Sequence, residues 1–344
     1  MSAWSAYRGF AITLVPAILG GAAWSSLELP LAWLMGAAVV TGFISFYGVN
    51  IELPKLLYRP SLAVIGAGVG LTITPSVAVE IARWFPLMAA MGFAGVVLAA
   101  LLTPWVARHG QIEASSAFFS LMPGGVIEMA NIGEPHGADR TTIATLHAIR
   151  VGLVVGILPL SLYALFPSTG VAGEITVLGL LPLLLVFAVA LAGGWFGALV
   201  KLPASWLLGA LIAVAALTAS GAVAGEIPYV VMAAAQMIVG ISLGSKFKRE
   251  RMRRLPRAMA FGTFALFCII VIMAFIGIAF SRVLPMDAPT MVLAFSIGGL
   301  AEMVLTARYL ELNMAIVAAF QAVRAVLVNS LAGAIWNRLS KRLT

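Results

Sequence analysis

The sequence predicts an all-α polytopic membrane protein built from two inverted-topology repeats. About ten transmembrane helices are expected, with two re-entrant or broken helical elements. Three observations lead there. Of 344 residues, 62% are hydrophobic and only 10% charged, against about 25% charged in soluble domains. Three separate motifs recur at nearly one offset. The basic residues sort to one side of the membrane only if each half makes an odd number of crossings.

The apolar segments come in order as 9–25, 31–48, 60–79, 84–106, 114–133 and 141–166, then 176–198, 204–223, 228–245, 258–281, 288–309 and 313–337. Most approach the length of about 20 residues that a helix needs to cross a bilayer. Arg8 and the apolar run after it imitate a signal peptide. The run has a counterpart later in the chain, so it is read as the first transmembrane helix. LPLAWLMGA at 29–37 returns as LPASWLLGA at 202–210, PGGVIEMA at 123–130 as IGGLAEMV at 297–304, and HAIRVGLVV at 147–155 as QAVRAVLVN at 321–329. The offset is 173 residues for the first pair and 174 for the others. The chain therefore reads as a first membrane repeat, 1–170, and a second, 171–344.

Orientation follows from KFKRERMRRLPR at 246–257, whose seven basic residues belong in the cytoplasm. If all twelve segments cross, eleven basic residues fall inside and eight outside. If the fifth segment of each half turns back, sixteen fall inside and only Arg83, Arg282 and Arg308 outside. The second arrangement is the better one. It turns the second repeat upside down relative to the first and puts both termini in the cytoplasm. Tryptophans 24, 33, 84, 105, 195, 206 and 336 then lie near predicted helix ends, where an amphipathic ring is best solvated.

The costly residues concentrate in the repeated motifs. Gly124-Gly125 and Gly298-Gly299 allow a sharp break, and interrupted backbone is tolerated at this depth only within protein or beside water. Glu128 and Glu302 stand four residues after the first glycine of each pair, and Arg150 and Arg324 stand 22 residues later. Each arginine lies about 16 Å into its helix at 1.5 Å per residue, near mid-bilayer. A charge there needs a partner or a wet cavity. Two readings stand side by side: a structural ion pair with the glutamate of the same half, or an anion site with titrating glutamates. His147 shares a helix face with Arg150, and its counterpart is Gln321. Asn131 joins the candidate binding set, while Glu134, His136, Asp139 and Arg140 belong to the mouth of the first element, with Asp139 an N-cap candidate. Thr72 and Thr74, after a glycine-rich stretch, are weaker candidates.

Other classes find little support. The net charge of +8 records cytoplasmic loops better than nucleic-acid binding. The one cysteine, Cys268, allows no intrachain disulfide. Three scattered histidines form no metal motif, and neither a Walker loop nor a Gly-x-Ser-x-Gly elbow is present. No metal, cofactor or enzymatic activity is expected. The partners implied are the lipid bilayer and a small-molecule solute, with no direct nucleic acid; a homo-oligomer is left open.

The P-x-x-W-L-[ML]-G-A motif at 30–37 and 203–210, G-G-x-x-E-M at 124–129 and G-G-x-x-E-M at 298–303, each followed by its arginine, resemble the AbrB family of bacterial inner-membrane proteins. That family is built on a tandem duplicated membrane domain and also carries an ammonia monooxygenase label. The resemblance implies an inner-membrane protein, with regulation of gene expression as an indirect effect. The residues themselves point to a secondary transporter of a small, anionic organic solute with proton coupling. A membrane-embedded regulatory protein is the alternative.

Overall fold

The computed structural model describes residues 3–166, 176–249 and 255–343, with side chains from 9 to 341 within those stretches. The repeat boundary at 170/171, residues 250–254 of the basic cluster and the extreme termini lie outside the described residues. Among the described residues, ten long α-helices and four half-length ones follow in order. They are α1 (Ala3–Ser26), α2 (Ala32–Phe46), α3 (Lys55–Gly70), α4 (Pro75–Gly110), α5 (Ala114–Leu121), α6 (Val126–Gly133) and α7 (Arg140–Leu165). The second half continues with α8 (Leu180–Leu199), α9 (Ser205–Ala219), α10 (Tyr229–Gly244), α11 (Pro256–Ser281), α12 (Ala288–Phe295), α13 (Leu300–Tyr309) and α14 (Met314–Leu343). Among the described residues, six helices are long and apolar enough to cross a membrane, and α2, α9 and α10 are shorter apolar helices. The protein is a polytopic membrane protein.

The sequence expectation misplaces two adjoining helices: α3 runs Lys55–Gly70, not 60–79. α4 begins at Pro75, not near residue 84, and runs for 36 residues. Pro75 supplies the pre-set φ of a first helical position. Glu80 and Arg83 interrupt the apolar run without interrupting the backbone, since charged side chains are good helix formers. Trp84 therefore sits ten residues inside the helix, with the Arg83 guanidinium 5.3 Å from its ring centroid.

The chain forms two compact units, and each takes elements from both halves of the sequence. The first contains Met1–Ala82, Pro159–Lys248 and Val304–Ala315. In it α1 packs on α2, and α8 on α9; α2 then packs on α10, and α3 on α9. The exchange is reciprocal down to single contacts. A Cβ on Gly66 would strike the carbonyl of Leu207, and a Cβ on Gly240 would strike that of Leu34. The backbone repeats as well: Leu31 and Ala204, each just before its helix, both sit in the left-handed region at φ 54° and 45°. A non-glycine residue adopts that conformation only under tertiary constraint. Small residues that let backbones touch are how apolar helices associate where lipid is as apolar as leucine.

The second unit contains Arg83–Leu158, Arg249–Met303 and Ile316–Thr344. Here α11 packs against α12 and touches α5, while Gly92 of α4 lies against Arg324 of α14. This unit holds the two Gly-Gly breaks, one from each half.

Gly240→Ala should cost about 1–3 kcal/mol, because the added methyl falls on backbone that cannot give way. Gly156→Ala, with open space around it in a helix, should be neutral or stabilising by up to about 1 kcal/mol. Thermal unfolding of the detergent-purified variants separates the two; equal melting temperatures would contradict the packing described.

Candidate functional site

The first Gly-Gly element starts as a helix and stops for a local reason. Pro123 lacks an N–H and pushes the preceding residue to extended backbone; Met122 is at φ −57°, ψ 132°. α5 ends at Leu121 and α6 starts at Val126. In the second half Ile297 replaces the proline, yet Ser296 adopts φ −60°, ψ 148°. Proline is therefore not what makes the break, and the same geometry must be held from elsewhere.

It is held by the arginines. A helix that stops leaves its last carbonyls without partners. Arg150, on α7, donates from Nη1 to the carbonyl of Met122 at 2.7 Å and from Nη2 to that of Gly124 at 2.8 Å. Arg324, on α14, does the same to the carbonyls of Ser296 and Gly298. A rigid planar fork can span two carbonyls in this way, and its charge also complements the negative C-terminal end of a half-helix. The sequence set Glu128 and Glu302 as ion-pair partners beside an anion site; the Nη groups of both forks donate to backbone carbonyls.

The residues preceding the arginines by three differ in what they do. Gln321 Nε2 donates to the carbonyls of Leu293, Ala294 and Ser296 at 2.8, 3.2 and 3.1 Å. His147, fully buried, places Nδ1 3.0 Å from the carbonyl of Ile143 on its own helix. The second break thus has Gln321 bracing it beside Arg324.

The first element turns back. The Asp139 N–H, after α6, donates to Ser116 Oγ in the first turn of α5 at 2.8 Å. The Phe119 and His136 rings stack at 6.0 Å, and a Cβ on Gly133 would lie 2.8 Å from the Phe119 ring. In a crossing helix the two ends would stand on the order of 24 Å apart, at 1.5 Å for each of sixteen residues. The element is a helical hairpin whose two ends lie side by side.

The tips of the two elements meet. A Cβ on Gly95 of α4 would lie 3.6 Å from Pro123 and 3.9 Å from Ile297, the equivalent residues of the two breaks. Gly298 lies against Val154, one turn beyond Arg150 on α7. Pro123 and Ile297, 174 apart in sequence, are thus neighbours at the tips.

Both glutamates occupy the third position of their half-helices and are half-buried. Each folds back over the preceding glycine: a Cβ on Gly125 would collide with the Glu128 carboxylate, and one on Gly299 with that of Glu302. An acidic group over the first turn is favoured by the positive helix end. Glycine at 125 and 299 leaves room for the carboxylate to lie there.

Asn131 lies apart from the tips. It is exposed and accepts a hydrogen bond from Arg140 at 3.0 Å, while Arg140 also pairs with Glu134 at 2.6 Å. Asp139 caps α7, accepting from the Thr142 N–H and hydroxyl at 2.7 and 2.6 Å. Burial disfavours its charge, but these hydrogen bonds hold its carboxyl below the ordinary range. Thr72 and Thr74 belong to the other compact unit, where Thr72 donates to the Val69 carbonyl and Thr74 bonds Ser76. Gly95 and the carbonyls of Met122 and Ser296 are the site elements that sequence reading missed. A carbonyl carries no residue signature, and Gly95 is one of 34 glycines. Among the described residues, no group of three or more His, Cys, Asp or Glu is placed to hold a metal.

The chain as a whole is similar to known proteins. A family model described as "Transition state regulatory protein AbrB" matches residues 1–76 and 33–340. The chain belongs to the AbrB family. Among its relatives in the AbrB family is the Escherichia coli (strain K12) protein named "Putative regulator AbrB". It is 24% identical over 303 residues, covering 87% of each chain. The Bacillus subtilis (strain 168) "Uncharacterized protein YhjN" is 26% identical over 260 residues, 68% of this chain and 66% of its own length.

Arg150→Ala leaves two buried carbonyls unpaired, at about 1–3 kcal/mol each. Arg324→Ala should cost less, because Gln321 still serves Ser296. Thermal unfolding of both variants tests the order; a larger loss for Arg324→Ala would contradict it.

Proposed function

We propose that this chain is a secondary carrier, not an enzyme, moving a small anionic organic solute across the inner membrane with proton coupling. One observation supports it above others: two interrupted elements, one from each half, bring their tips together within one compact unit, each with a carboxylate over a half-helix N-terminus. Discontinuous helices that meet inside the membrane are the usual construction of solute sites in secondary transporters. The half-helix N-termini favour anionic groups, and Glu128 and Glu302 are the titratable groups there. The arginines fix the tips, and both termini of the chain face the cytoplasm in this reading.

Regulation is the second reading, favoured by the name of the Escherichia coli relative. A carrier that alters the internal level of a metabolite changes gene expression without touching nucleic acid, so the two readings converge. A direct regulatory role would instead run through cytoplasmic surface such as the cluster at 246–257.

Metabolite profiles of cells and medium, compared among cells with the wild-type gene, without it, and with Glu128→Gln/Glu302→Gln, test the carrier. A solute redistributed by the wild type but at least tenfold less by the membrane-inserted variant is expected. Equal profiles in all three would refute it.

A further inference from the structure

The half-helices that follow the two breaks are equivalent in sequence, yet the same side is exposed in the first and covered in the second. Ile127, Asn131 and Glu134 stand at i, i+4 and i+7 along α6 and the turn after it, so they share a face. Ile127 is 72% exposed, and Asn131 and Glu134 are exposed with it. The polar residues and the Arg140–Glu134 pair on that face require water, because lipid cannot solvate them. Their equivalents 174 residues on are Ala301, Leu305 and Arg308 of α13. Ala301 is 7% exposed and Leu305 2%, and Arg308 pairs with Glu226 at 2.8 Å.

Both partners of the Glu226–Arg308 pair are held in place. Glu226 lies on a short strap, where its N–H donates to the Thr176 carbonyl and its carbonyl accepts from the Leu178 N–H, both at 3.0 Å. Arg308 lies beside Gly68 of α3, and the next residue, Tyr309, donates from its hydroxyl to the Glu28 carbonyl at 3.1 Å. These contacts all fall within the first compact unit, whereas α13 starts in the unit that holds the tips and changes unit between Met303 and Val304. The side chains of Arg308 and Glu226 are 26% and 38% exposed, against 55% and 57% for Arg140 and Glu134, so the pair on α13 is the better shielded from water. The first half cannot repeat it, since Glu226 and Arg308 correspond to Glu52 and Glu134, two acids.

We propose that Glu226–Arg308 is a latch. Made, it keeps the Ala301 face of α13 away from water; broken, it lets that face become exposed, as the Ile127 face of α6 already is. The inference deepens the carrier reading and rests on it for naming these two faces as the solute's routes to the tips. The latch itself requires no solute.

The test follows the reaction of single cysteines with a hydrophilic maleimide in opened membranes that carry the full-length protein, in a Cys268→Ser background. The reagent attacks a thiolate and so reads contact with water. Ile127→Cys should react fast and Ala301→Cys slowly. Arg308→Gln or Glu226→Gln should raise the Ala301→Cys rate about fivefold, the upper end for an ion pair that touches solvent. The exchanged pair, Glu226→Arg/Arg308→Glu, should return it to the slow rate. Ala265→Cys, buried in α11, should stay slow throughout. The proposal is overturned by an unreactive Ile127→Cys, by an Ala301→Cys rate that both neutral variants leave unmoved, by an exchanged pair that stays fast, or by an equal rise at Ala265→Cys, which would mean general loosening. If one neutral variant does not fold, the other and the exchanged pair decide. Metabolite profiles separate the two readings. Labelling as described with equal profiles in wild-type and gene-free cells leaves the latch standing and refutes the carrier, whereas unequal profiles with Ala301→Cys unmoved do the reverse.

Discussion

A helix interrupted inside a membrane protein must find partners for carbonyls that lipid cannot supply, and the rest of this structure depends on how that need is met. Arg150 and Arg324 meet it, each bridging two carbonyls of a break with one planar fork. The arrangement answers two costs together. A buried guanidinium requires acceptors, and a broken helix presents them with a negative end. Neither element would be stable at this depth without the other.

From that constraint the geometry of the centre follows. A break held open frees the N-terminal turn of the next half-helix, and the following glutamate settles over it. Because the second compact unit draws α5 and α6 from one half and α12 with the start of α13 from the other, the two breaks meet at Gly95. The first unit repeats the theme with apolar helices alone, through reciprocal contacts of Gly66 with Leu207 and Gly240 with Leu34. The compact units are thus not the sequence repeats. Each is a partnership of equivalent pieces from both.

Much of this was legible beforehand. The duplicated motifs pointed to the breaks, and the spacing from Gly124 to Arg150 and from Gly298 to Arg324 marked the arginines as buried. Most segment limits hold closely, except where α3 ends at Gly70 and α4 runs back through Glu80 and Arg83 to Pro75, because hydropathy reports burial in lipid and not helix length. What reading side chains could not show was the arginines' partners. Opposite charges 22 residues apart suggest an ion pair; the true acceptors are carbonyls of Met122, Gly124, Ser296 and Gly298, which any residue types could provide. Asn131 stood with Glu128 in the candidate binding set, yet it is exposed near the end of α6 beside Arg140. One turn of helix separates the interior from the mouth.

The central claim is that the Gly-Gly element re-enters rather than crosses. Single Glu113→Cys and Pro135→Cys variants in a Cys268→Ser background, probed with a membrane-impermeant maleimide in intact and permeabilised cells, test it most directly. Both positions should label from one and the same side of the membrane. Labelling from opposite sides would mean a crossing helix, and the account of the paired tips would fail.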